Sequence, residues 1–141
     1  MSPLIAAWMG WAVLIIVLVL ACWKGSRAER LGVAIFLTGA IYAMVVYNFA
    51  PRSVMPTLLL LGEGAMGGGF LFLALRYMNA WLGVAMLLQA IQFSLHAYYL
   101  VGGLPRDRTF ALINNIDSIG VLLCILAGTL LTWRKRAQAA K

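Results

Sequence analysis

Charge is what this chain of 141 residues has least of. Asp and Glu number 4 and Lys and Arg 11, so charged residues make up only 11%, against about 25% in an ordinary soluble domain. That supply cannot clothe an aqueous surface when 64% of the residues are hydrophobic, which excludes a water-soluble globular domain and a disordered tail. The 2 cysteines exclude a disulfide scaffold. They fall in different apolar runs, so Cys22 and Cys124 read as small buried hydrophobes. With 1 histidine the chain lacks a bis-histidine haem site and the paired ligands of a zinc motif.

What it has instead is five apolar runs, at residues 3–23, 31–50, 54–75, 80–101 and 110–132. Each approaches or exceeds the ~20 residues that cross a bilayer as a helix. The links between them are short, which makes consecutive helices antiparallel neighbours. The expected fold class is all-α integral membrane: a five-transmembrane-helix antiparallel bundle, with residues 1–141 forming a single transmembrane domain.

The net charge of +7 is distributed unevenly along that plan. Lys24, Arg27, Arg30, Arg76, Arg134, Lys135, Arg136 and Lys141 fall on one side, and Arg52, Arg106 and Arg108 on the other. By the positive-inside rule this places the C-terminus in the cytoplasm and the N-terminus outside. Trp23, Trp81 and Trp133 then fall at the inner boundary and Trp8 near the outer one, as an aromatic belt requires. The basic segment from Arg134 to Arg136 is a stop signal facing anionic lipid, so no nucleic-acid partner is expected. Val19 to Cys22 carries a faint lipoprotein cleavage pattern. No Lys or Arg precedes the run, however, and the first span is expected to be a true helix.

The informative residues are polar ones at membrane depth. Glu63 lies 11 residues after Arg52 and 13 before Arg76, near the bilayer middle. A carboxylate there costs about 2.5–3.5 kcal/mol on insertion scales, so it faces protein or water, or takes up a proton. Around it, Gly64, Gly67, Gly68 and Gly69 leave little side-chain bulk, and Gly64 with Gly68 forms a small-xxx-small pair expected to pack against a neighbouring helix. The fourth span carries Gln89, Gln92, His96 and Tyr99 on one helical stripe, and the fifth opens with Asn114, Asp117 and Ser118 at i, i+3, i+4 spacing. Similar depth predicts a His96–Asp117 pair, with Glu63 held near Gln89 or Gln92. The cluster is graded toward one side, and the other half of each helix is apolar, which argues against an open pore.

No nucleophile turn, phosphate loop or metal-ligand spacing accompanies these residues, so no catalytic site, metal or cofactor is expected. Glu63, His96 and Asp117 offer one His and two acids without diagnostic spacing.

Ala74-Leu75-Arg76 closing the third span, Trp81 opening the fourth with its lone His96, and Gly128 to Arg134 closing the fifth resemble a group of small polytopic inner-membrane proteins of proteobacteria. That group likewise carries an acid in the third helix, where this chain has Glu63; the third span here is richer in glycine. The resemblance implies a multi-pass protein of the bacterial inner (cytoplasmic) membrane and no particular activity.

Two functional expectations follow. The first is a non-enzymatic component acting through helix–helix contacts as an accessory, assembly or immunity-type subunit. The second is a small oligomeric proton- or cation-coupled carrier using Glu63. The expected partners are the lipid bilayer and either further copies of the chain or another membrane protein.

Overall fold

The computed structural model describes the backbone of residues 3–140 and the side chains from Trp8 to Ala140. Lys141, counted in the charge asymmetry, and the side chains that open the first span lie outside the described residues. Among the described residues five helices follow one another: α1 Pro3–Lys24, α2 Arg27–Phe49, α3 Met55–Tyr77, α4 Ala80–Val101 and α5 Arg108–Ala139. Helices α2 to α5 are each long and apolar enough to cross a membrane, and the apolar stretch described for α1, Trp8–Lys24, is shorter.

Local chemistry sets the boundaries. α2 starts four residues before the apolar run because Ser26 and Glu29 form a capping box: Ser26 Oγ accepts from the Ala28 N–H at 3.3 Å, and the Glu29 carboxylate accepts from the Ser26 N–H at 2.6 Å. Pro56 sits in the first turn of α3, where its missing N–H costs nothing. That helix stops at Met78, whose left-handed backbone (φ 53°) turns the chain into α4. At α5, the Asp107 carboxylate accepts from the Phe110 N–H at 2.8 Å and from the Tyr99 hydroxyl at 2.9 Å. α5 runs for 32 residues, about 48 Å by helix rise. It therefore carries Arg134-Lys135-Arg136 as helix rather than as a tail, well beyond the ~30 Å of a hydrocarbon core.

The short connections bring residues 24–30, 76–79 and 133–139 to one end of the bundle, the basic end, and loops 50–54 and 102–107 to the other, the hairpin end. α2, α3, α4 and α5 close a ring in which each packs on the next and α2 returns to α5; α1 lies outside it, against α2 and α5. The apolar core fills the basic half. Val33, Phe70, Leu82, Val121 and Ile125 meet there, each at most 1% exposed, and Val17 and Ala21 extend it to α1.

Trp81 departs from the belt position. Trp8, Trp23 and Trp133 are exposed, and the Lys24 ammonium lies 4.4 Å from the Trp23 ring centre and 5.1 Å from that of Trp133. Trp81, in contrast, is only 8% exposed, wedged between α2 and α5 where Gly32 and Gly128 leave room for its ring. A Cβ at Gly128 would stand 2.5 Å from Trp81 Nε1, closer than packing permits. Cys22 is exposed on α1 rather than buried, and Cys124 is half-buried; both are free thiols.

Candidate functional site

Helical spacing alone directs six polar side chains of α4 and α5 inward. Gln89, Gln92 and His96 recur at i, i+3, i+7 along the face of α4 that meets α3 and α5, and all three are buried. Asn114 and Ser118 are half-buried on α5, one turn apart, and Asp117 beside them is buried. Glu63 projects from α3, half-buried.

Glu63 and the two glutamines form the centre. Gln89 Nε2 donates to Glu63 Oε2 at 2.5 Å, and Gln92 Nε2 lies 3.3 Å from Glu63 Oε1. Gln92 Nε2 also lies 3.1 Å from Asn114 Oδ1 and 3.4 Å from Ser118 Oγ, which itself donates to the Asn114 carbonyl. Three acceptors thus converge on an amide nitrogen that has two hydrogens. Nearby, Gln89 Oε1 and Asp117 Oδ2 are buried with no hydrogen-bond partner among the described residues. Two buried acceptors of this cluster thus lack a donor among the described residues.

His96 Nδ1 lies 3.1 Å from the Gln92 carbonyl of its own helix. A carbonyl only accepts, so in this contact Nδ1 carries the hydrogen. The edge of Phe110 packs against the ring, centroids 5.0 Å apart at 86°. The expected His96–Asp117 pair is therefore replaced. His96 satisfies itself on its own backbone and on Phe110, and Asp117 Oδ2 has no donor among the described residues.

A cavity of about 120 Å³ lies beside this cluster, and neither Gln89 nor Asp117 lines it. Glu63, Gln92, His96, Asn114 and Ser118 line it, together with the α2 wall from Phe36 to Tyr47. Tyr47 stands toward the hairpin end, where its hydroxyl accepts from Arg106 at 3.3 Å. The apolar core occupies the basic half below. Polar lining thus extends toward one end of the bundle only.

The glycine run is used differently from the expected notch. Gly69 takes Ile35, Gly67 lies beside the stem of Gln89, and Gly64 meets the edge of Phe93. Gly68 has nothing within 4 Å of where a Cβ would stand. The expected packing of Gly68 against a neighbouring helix is corrected: at 100° per residue it falls on the outer face of α3. The close approach lies elsewhere, at Gly39, where Met66 lies over the α2 backbone and separates the polar cavity from an apolar groove outside it.

Sequence reading missed Glu29. It is 1% exposed, held by the capping box and accepting from the Thr132 hydroxyl of α5 at 3.4 Å. Its signal was present as Ser26-x-x-Glu29, the capping-box pattern, which the neighbouring charges Arg27 and Arg30 masked as a loop. Among the described residues no three of His, Cys, Asp and Glu gather as a metal-binding group. No protein-family model, curated protein or solved structure matches the chain.

Proposed function

We propose that the protein is a small multi-pass membrane carrier, proton- or cation-coupled, in which Glu63 is the accepting group and the hairpin end is the entrance. The observation that carries this reading is the surplus of acceptors at the cavity. Glu63, Asn114 and Ser118, all in its lining, share the Gln92 amide, and outside the lining Gln89 Oε1 and Asp117 Oδ2 have no partner among the described residues. Such a surplus is met by a ligand that brings hydrogens or positive charge. At about 120 Å³ the space suits a few water-sized species, each taking ~30 Å³, and not a large solute. The apolar half blocks through-flow, so transport on this reading requires a second conformation in which the Val33–Phe70–Leu82 core opens. With the charge asymmetry, the reading places the hairpin end outside and the basic end in the cytoplasm of a bacterial inner membrane, with α1 as the fifth span.

The test is flux into proteoliposomes containing a pH-sensitive dye, with proton, sodium or potassium gradients imposed in turn. One gradient is expected to drive flux that Glu63→Gln abolishes and Glu63→Asp partly restores; leak equal to that of empty liposomes under all three gradients rejects the reading.

A second reading, an accessory component acting through helix–helix contacts, is favoured by Gly64 and Gly68. Both are exposed, Gly64 beside the edge of Phe93 and Gly68 with open space where a Cβ would stand, and an exposed small-xxx-small pair is a surface on which a partner helix packs closely. Stoichiometric co-purification of another membrane protein, lost on Gly68→Leu, would select it.

A further inference from the structure

The outer seam between α2 and α3 holds a groove of about 520 Å³, larger than the polar cavity and almost wholly apolar in its lining. On α2 it runs from Leu31 through Thr38 to Tyr42, and on α3 from Gly69 back to Leu61. Tyr42 lies eleven helical steps beyond Leu31, about 16 Å of rise. One leaflet of a ~30 Å hydrocarbon core is about 15 Å deep. At its hairpin-side end the groove is stopped by Tyr42, whose hydroxyl donates to the Leu58 carbonyl at 2.9 Å and whose ring fills the space above Gly62.

The other end carries charge. Arg27 precedes Leu31 by four residues, and Arg76 follows Gly69 by seven. Both intervals return a residue to the same helix face. Both arginines are exposed. They stand one turn and two turns beyond the groove, at the basic end, where a phosphate headgroup would lie if an acyl chain occupied the apolar part.

We infer that this groove is a binding site for one acyl chain of an anionic phospholipid, with Arg27 and Arg76 holding the headgroup. Its length matches one leaflet, its closed end stops a chain tail, and its open end bears two fixed cations with planar, bidentate phosphate-binding geometry. Basic residues at helix ends facing the cytoplasmic leaflet recognise anionic headgroups in this way. The inference rests on membrane placement of the bundle and is independent of the cation pocket, because Met66 stands between the two.

The experiment is native mass spectrometry of the full chain released from nanodiscs of phosphatidylcholine mixed with phosphatidylglycerol. One retained phosphatidylglycerol per chain is expected. Ala65→Phe and Thr38→Phe, which fill the groove, should each remove it, and Ala127→Phe, on an exposed face of α5, should not. Replacing Arg27 and Arg76 together by Gln should weaken retention about thirtyfold, since each basic residue near an anionic surface is worth about fivefold. Thermal unfolding identifies any filled variant that fails to fold, and the arginine pair, which is exposed, tests the site without it. Equal retention by wild type and all variants overturns the inference. So does a dimer that carries no lipid and is split by Ala65→Phe, which would assign the groove to a second copy of the chain.

Discussion

Trp81 of α4 and Gly128 of α5 form a lock at the basic end of the bundle: the indole ring occupies the space a side chain at position 128 would fill, with Nε1 2.5 Å from the site of a Cβ. The ring is rigid and the glycine backbone is the wall it rests on, so neither side can give cheaply. Gly128→Ala is expected to destabilise by about 1–3 kcal/mol through overpacking, although alanine is otherwise the better helix former by about 1 kcal/mol. Gly68→Leu, larger but turned outward, is expected to change stability by less than about 0.5 kcal/mol. Thermal unfolding in one detergent compares them, and the reverse order would place α3 and α5 differently from the arrangement described.

Asp117 provides a test of the opposite sign. Its buried Oδ2 has no partner among the described residues, and an unsatisfied buried polar group costs about 1–3 kcal/mol. Asp117→Val is therefore expected to raise thermal stability, whereas a hydrogen-bonded Asp117 would make the same change destabilising.

Glu63 and Gln89 are expected to behave as a coupled pair. Interhelical hydrogen bonds in membranes average about 0.6 kcal/mol and reach ~1.7, so a double-mutant cycle on Glu63→Leu and Gln89→Leu should give an interaction of that size. Strict additivity would show that the two side chains do not meet.

At the hairpin end, the Phe110 N–H and then the Tyr99 hydroxyl, both donating to Asp107, hold its carboxyl below the usual carboxylate range. A folded-state value depressed below the unfolded one, near 4 for Asp, stabilises above that pH and ceases to do so as the pH falls through the folded value. Wild type is expected to exceed Asp107→Ala in thermal stability at neutral pH and to lose that margin as the pH falls below about 4. A margin independent of pH would mean that the cap does not depend on charge.

Much of this was legible in the chain. Four helices long and apolar enough to span a membrane, the short connections and the inward polar stripe of α4 all follow from hydrophobic length and period. The approach of Gln89 and Gln92 to Glu63 followed from depth, because two glutamines and an acid at similar height have few other partners. Depth could not resolve His96. Its own helix offers the Gln92 carbonyl one turn away, and that local bond removes the need for Asp117. The glycines misled for a related reason: a Gly-xxx-Gly spacing marks a face without telling whether protein or lipid meets it, and Gly68 meets no protein. Trp81 illustrates the same ambiguity. An aromatic at a helix end suits either the interface or a wedge, and the deciding glycines, Gly32 and Gly128, lie far from it in sequence.

That Glu63 is the accepting group and is reached from the hairpin end is the central claim, and infrared difference spectroscopy reads it most directly. In oriented membranes of the full chain, stepping the pH on the hairpin side is expected to change a protonated-carboxyl band that Glu63→Gln removes and Asp107→Asn leaves in place, and the same step on the basic side is expected to leave the band unchanged. A carboxyl band that persists in Glu63→Gln, or that responds equally from both sides, would contradict the account.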